Sequence, residues 1–121
     1  KGVAVPLEAL GQAAAGVGHF QGVADADGVT RQTPMVVRAD HAAMPALAWQ
    51  VAAHSLHLVP ADAELQGRRA MRVGGVPVPL DAMFMFRPPL YATPFTTFSF
   101  QDVLSGNVPP ARLQNRIVLI G

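Results

Sequence analysis

Apolar residues fall in short clusters along the chain, and the spacing within each cluster separates helix from strand. Leu7, Leu10 and Ala14 recur at helical spacing behind Pro6 and Glu8. Proline suits a first helical turn, where its missing N–H costs nothing, and an acid there faces the positive end of the helix dipole. The pattern predicts a short strand at Val3-Ala4-Val5, then a short helix that Gly16 ends. Alternation takes over next, with Val17, His19, Gln21 and Val23 interleaved with Gly18, Phe20 and Gly22. This reads as one strand of a hairpin, turned at Asp27-Gly28 and returning along Val29 to Arg38. Pro34, which has no N–H to donate, marks an edge or a bulge in the return strand.

After a short loop at Asp40 to Ala43, Pro45 to Leu58 is the strongest helical pattern, stopped by Pro60. Leu47, Val51 and Leu58 form its stripe, and Trp49, Ala52 and Leu56 widen it. The polar stretch Ala61 to Arg72 reads as loop, or as loop holding a short helix. Gly74-Gly75 separates two extended runs, Met71 to Val73 and Val76 to Pro79, and Pro77 and Pro79 confine the second to an edge. Ala82 to Phe86 and Ile117 to Ile120 are short unbroken apolar runs, the signature of strands buried on both faces. Pro88-Pro89 ends the first run, and residues 91–98 form a connection rich in Thr and Phe. Ser99-Phe100-Gln101-Asp102 has the spacing of a capping box, with Leu104 facing inward and Gly106 closing the short helix. Helices and strands interleave without a repeat. The expected fold is therefore α/β, a layered domain with a mixed β-sheet packed by helices and a β-hairpin around Asp27-Gly28.

Composition narrows the function classes. With 121 residues the chain is expected to form a single domain, 1–121, with room for a core that needs no staples. Half of its residues are hydrophobic and 14% are charged, which argues against disorder. There is no cysteine, so disulfides, thiolate metal sites and cysteine nucleophiles are excluded. A net charge of +1 with dispersed arginines gives no field for nucleic acid, and Arg68-Arg69 with Arg72 reads as a solvated loop. No uncharged run has the unbroken apolar length of about 18 residues that a spanning helix needs. Lys1 stands where an initiator Met would, and the chain stops on a strand-like run. An excerpt of a longer protein is expected.

Catalytic material is thin. Asp25-Ala26-Asp27-Gly28 resembles a calcium loop, but with Gly28 at the sixth position the first and twelfth would be Val23 and Pro34, so it reads as a hairpin turn. Of the three serines, none lies in a Gly-x-Ser-x-Gly elbow. His54 and His57 stand three apart on the predicted helix, with His41 upstream, and could share a metal, yet no His-Glu-x-x-His pattern is present. Asp25 with Asp27, or Asp81 with Asp102, would need to converge in a cleft for acid–base work. Two arginines stand out instead: Arg31 after the hairpin turn and Arg87 at the end of the apolar run. The guanidinium fork suits a carboxylate, either from within the chain or from a ligand. Arg87 and Arg31 are the candidate ligand-binding residues; no catalytic residue, metal ligand or cofactor is assigned.

These residues form an ordered set: Gly18-His19-Phe20-Gln21, Asp25-Ala26-Asp27-Gly28-Val29-Thr30-Arg31, Met44-Pro45-Ala46-Leu47-Ala48-Trp49, Met83-Phe84-Met85-Phe86-Arg87, Ser99 to Gly106, and Arg116 to Gly121. The set resembles the second type of CHASE domain, the extracellular sensory modules of bacterial cyclases and histidine kinases, over nearly the whole chain. Gln21 replaces that family's Asn, Ala46 its helix-capping Ser, and Phe84-Met85-Phe86-Arg87-Pro88 its Ile-Asn-Tyr-Arg-Gly. The resemblance implies an extracytoplasmic ligand-sensing domain at the periplasmic face of a bacterial inner membrane. Flanking membrane helices outside this sequence would connect it to a cytoplasmic cyclase, histidine kinase, diguanylate cyclase or serine/threonine kinase. Its partners would be a small-molecule or peptide signal and a second receptor subunit. Two rival readings are a small metal-dependent hydrolase using His41, His54 and His57, and a purely structural interaction module. The low charge and apolar surface imply a face that a second subunit or further chain covers.

Overall fold

The computed structural model describes residues 6–39, 42–59, 63–66, 70–89 and 93–121. The chain divides into two compact units, Lys1–Pro88 and Pro89–Gly121. The expected strand at Val3-Ala4-Val5, Arg68-Arg69 and the stop at Pro60 lie outside the described residues.

Among its described residues the first unit has an α/β make-up built from three small antiparallel sheets and two helices. Helix α1 (Glu8–Ala13) opens as the sequence predicts, with Glu8 in its first turn. It ends at Ala14 in extended backbone, before Gly16, and its apolar face does not pack: Leu7 and Leu10 are exposed. The hairpin forms around Asp27-Gly28, but its first arm shrinks to β1 (Val23–Ala24), paired with β2 (Thr30–Pro34). Upstream, His19 leaves that alternation and makes a parallel bridge to Ala46. The return strand is two strands, not one. After Pro34 the chain bends at Met35, which is buried and whose carbonyl accepts Ala46 N–H at 2.9 Å. It then continues as β3 (Val36–Ala39), paired with β4 (Ala42–Pro45). The loop expected from Asp40 to Ala43 is thus partly strand, and Asp40 and His41 lie outside the described residues.

Helix α2 (Leu47–Ser55) is shorter than its pattern suggested, because Pro45 belongs to β4 and the chain turns at His57. His57 has φ 55°, its N–H bonds His54 O at 3.2 Å, and Leu58 N–H reaches back to Ala53 O at 2.8 Å. This is a Schellman stop with histidine in the left-handed position that glycine usually takes. The buried face carries Trp49 and Ala53 below Ala46; Leu47 and Leu56 are exposed. Trp49 and Ala53 join the core cluster, so the leucine stripe is not the packing face.

The stretch expected to be loop contains a strand, β5 (Ala63–Gln66), which pairs with β6 (Ala70–Val73), and β6 with β7 (Val76–Pro79). Gly74 and Gly75, at φ 52° and 84°, make the two-residue turn between β6 and β7. Met71 and Val73 point inward while Arg72 is exposed, the period of two that the pleat demands. The proline-rich β7 lies at the edge, as expected. The core joins α2 to the sheets: Met35, Ala46, Trp49, Ala53, Met71, Val73 and Leu80, with Leu58, Val78 and Phe86 packed against them.

Residues 82–86 are not a strand buried on both faces. Only β8 (Met85–Phe86) is extended, half-buried at the edge of the sheet ordered β1-β2-β8. Residues before it form a tight turn in which Met83 is exposed and Phe84 has φ 59°.

The second unit carries α3 (Phe100–Leu104) and a 3-10 turn at Pro110–Arg112. Ser99 stands at the N-cap, but its side chain makes no cap bond, so the capping box does not close. Asp102 instead accepts Asn107 Nδ2 at 3.3 Å. Gly106, at φ 74°, ends the helix as predicted, and Leu104 is exposed rather than inward. Ile117 to Ile120 are also exposed and pair with no strand among the described residues. A strand-like run becomes a strand only where a neighbour supplies its hydrogen bonds.

Candidate functional site

The site is assembled on the β1–β2 hairpin and the edge strand beside it. The turn is locally encoded. Asp25 N–H bonds Val29 O, Gly28 N–H bonds Asp25 O, and Asp27 Oδ1 accepts Val29 N–H at 3.0 Å. Gly28 takes φ 80°, which a side chain would strain. This turn throws both carboxylates toward Arg31 on β2. Arg31 meets Asp27 with its full fork, Nη1 to Oδ1 at 2.9 Å and Nη2 to Oδ2 at 2.8 Å. Its Nη1 also reaches Asp25 Oδ2 at 3.0 Å, and Gln32 Nε2 donates to Asp25 Oδ1 at 2.9 Å. The Arg31 hydrogen bonds hold both carboxyls below the ordinary carboxylate range, and the two acids in turn hold Arg31 more firmly protonated. Asp25 and Asp27 therefore converge on an arginine, not on a cleft. Fixed in the ionised form, they are poorly suited to exchange protons near neutral pH.

Arg87 comes to this cluster from far along the chain. Strand β8 pairs antiparallel with β2, Thr33 opposite Phe86 and Pro34 opposite Met85. That register carries Arg87 toward Gln32 and Asp25. Its Nη2 lies 3.8 Å from Asp25 Oδ1, an ion pair too long for a hydrogen bond, and its side chain is 60% exposed. A hollow of about 300 Å³ opens here, lined by Gln32, Pro79, Leu80, Asp81, Met85 and Arg87. Leu80 follows the edge strand β7 and is buried in the core, which fixes the floor.

Asp81 shapes the rim. Its Oδ1 accepts Met83 N–H at 2.8 Å and Met85 N–H at 2.9 Å, while Phe84 N–H bonds its carbonyl at 3.1 Å. An aspartate hydrogen-bonding the backbone two residues on is a turn signal present in the sequence; the apolar run after it reads more strongly as strand and hides it. Gln32 carried no signal of its own, since only the Asp25 contact and the β2–β8 pairing give it a place.

A model of the CHASE2 domain family matches residues 2–121. The chain belongs to the CHASE2 domain family. This family is extracellular, sensory and non-catalytic, which agrees with a site made of fixed ion pairs and an open hollow. The CHASE2 chain matches no curated protein and no solved structure. No helix among its described residues is long and apolar enough to cross a membrane.

Among the described residues of this CHASE2 domain the histidines form no metal-holding group. His54 is the last helical turn's histidine, whereas His57 sits past the helix end in left-handed backbone. The spacing of three therefore no longer places both rings on one helical face. His41 lies outside the described residues, and no group of three His, Asp or Glu able to hold a metal occurs among the described ones. His19, which carries the bridge to α2, has a buried Nε2 with no hydrogen-bond partner among the described residues. Burial pushes its imidazole below the ordinary histidine range, against a weaker opposing pull from the Pro34 backbone.

Proposed function

We propose that this CHASE2 domain is the extracytoplasmic ligand-sensing part of a bacterial transmembrane receptor, held at the periplasmic face of the inner membrane. Its output would be a cytoplasmic enzyme such as an adenylate or guanylate cyclase or a histidine kinase. The observation that carries the reading is the family match across residues 2–121. The hollow at Arg87, with Arg31 bracing the carboxylate behind it, supplies a place for a small-molecule or peptide signal. A ligand that binds one arrangement of the domain better than another shifts the receptor's equilibrium by that difference in affinity. A homodimeric receptor would convey the shift. Large apolar side chains left in solvent, among them Phe20, Met83, Phe95 and Leu119, support a further covering subunit.

The test uses the parent protein. Membrane-spanning segments should flank the domain in its gene, with a signalling domain downstream. Replacing Arg87 by Ala should change the output while the domain keeps its circular dichroism, because that side chain is largely exposed and its ion pair with Asp25 is long. A parent gene with neither flanking helices nor a signalling domain would overturn the proposal.

A further inference from the structure

We propose that the hollow beside Arg87 takes a small zwitterion of the α-amino-acid type, with its carboxylate on Arg87 and its ammonium on Asp81. This rests on the sensory reading above and adds the ligand's chemistry to it. The argument starts from which charges are already spent. Asp25 is held by Arg31 at 3.0 Å and Gln32 at 2.9 Å, and Asp27 takes the full Arg31 fork. Arg87 has only its 3.8 Å approach to Asp25 among the described residues, so its donors remain open to a ligand. A guanidinium binds a carboxylate through two parallel N–H···O bonds.

Asp81 offers the complementary end. Two backbone N–H groups lock its Oδ1, which fixes the carboxylate in place, and Oδ2 accepts no hydrogen bond among the described residues. Asp81 and Arg87 line the same hollow but form no ion pair with each other among the described residues. Two opposite charges that line one hollow and are not paired with each other match a molecule that carries both. A plain anion fits less well. The lining carries one acid, Asp81, and one base, Arg87, and Asp25 already stands 3.8 Å from Arg87, so added negative charge is opposed. The rest of the lining includes Pro79, Leu80 and Met85, apolar surface for an aliphatic side chain. A volume of about 300 Å³ is at the small end of ligand sites and suits one amino acid.

The experiment titrates the 121-residue chain with L-leucine, with leucinamide, which lacks the carboxylate, and with 4-methylpentanoate, which lacks the ammonium. Binding is read by calorimetry and by NMR shifts of backbone amides. Leucine should bind saturably and move the signals of Asp81 to Arg87. Each one-ended analogue, and leucine on R87A, should bind about tenfold more weakly or worse, about 1.4 kcal/mol. Circular dichroism confirms that R87A is folded. No saturable leucine binding, shifts confined to other residues, analogues as tight as leucine, or an R87A affinity equal to the parent's would each overturn the proposal. The sensory reading fails separately: it falls if deleting the domain from the parent receptor leaves its output unchanged.

Discussion

Replacing Gly18 by Ala should cost the first unit a substantial share of its stability. A Cβ built at Gly18 would lie 2.6 Å from both N and Cα of Leu47 and 3.0 Å from the carbonyl carbon of Ala46. All three are backbone atoms at the start of α2, so no side-chain rotation relieves the clash. The segment around His19 must move away from the helix. Two backbone hydrogen bonds then go, His19 N–H to Pro45 O and Leu47 N–H to His19 O, both 2.9 Å. Each such bond contributes about 1 kcal/mol net. Ala46, now 3% exposed, would also lose its cover. With the residual strain the total is roughly 2–4 kcal/mol, a large fraction of the 5–15 kcal/mol that holds a typical domain. Urea unfolding followed by tryptophan fluorescence measures this directly, since Trp49 is the chain's single tryptophan and lies in the core of the same unit. The midpoint should fall at unchanged slope. Gly28→Ala is the control: nothing lies within 4 Å of its added Cβ, and only its φ of 80° penalises a side chain. That change should cost about 1 kcal/mol. A Gly18→Ala protein within about 0.5 kcal/mol of the parent would refute the close-approach argument.

Three further outcomes are expected. Asp25 and Asp27 have folded-state carboxyls lowered by Arg31, so the stability they contribute is present above the ordinary carboxylate pKa and is lost as pH falls through the folded values. Denaturation midpoints should drop as pH falls below the ordinary carboxylate value of about 4, and Arg31→Gln should flatten that slope; an unchanged slope would sink the assignment. The His19 imidazole, whose protonation the fold disfavours, should titrate in an NMR pH series below the ordinary value of about 6.5. Stability linked to it should then decline as pH falls through that ordinary value, and a titration above it would contradict the burial argument. Gly11→Ala adds a Cβ whose nearest neighbour outside the helix's own backbone would be Pro6 Cγ at 3.9 Å, so nothing opposes the better helix former. It should raise stability by about 0.5–1 kcal/mol in the same urea assay, and a loss would show that α1 is not helical in solution.

What the sequence determined by itself is whatever depends on neighbours a few residues away. The Asp25-to-Arg31 cluster is complete within one hairpin, since the turn, the Asx bond and the arginine fork close over seven residues. The Gly74-Gly75 hairpin and the Gly106 stop likewise follow from backbone angles that glycine accepts locally. The ordered motif set along the chain also sufficed to indicate the family. The tertiary structure decided everything that depends on which surfaces meet. Ala82 to Phe86 and Ile117 to Ile120 look alike as apolar runs, yet the first is mostly a turn stapled by Asp81 and the second stays exposed. Helix α2 packs through Trp49 and Ala53, not Leu47 and Leu56, because that is the face turned toward Met35, Met71 and Val73 in the core. Arg87 was visible as an arginine after an apolar run, but only the β2–β8 pairing places it beside Gln32 and Asp25 over the hollow. Local hydrogen bonding is written in adjacent residues, whereas burial and strand pairing are chosen among distant segments competing for the same partner.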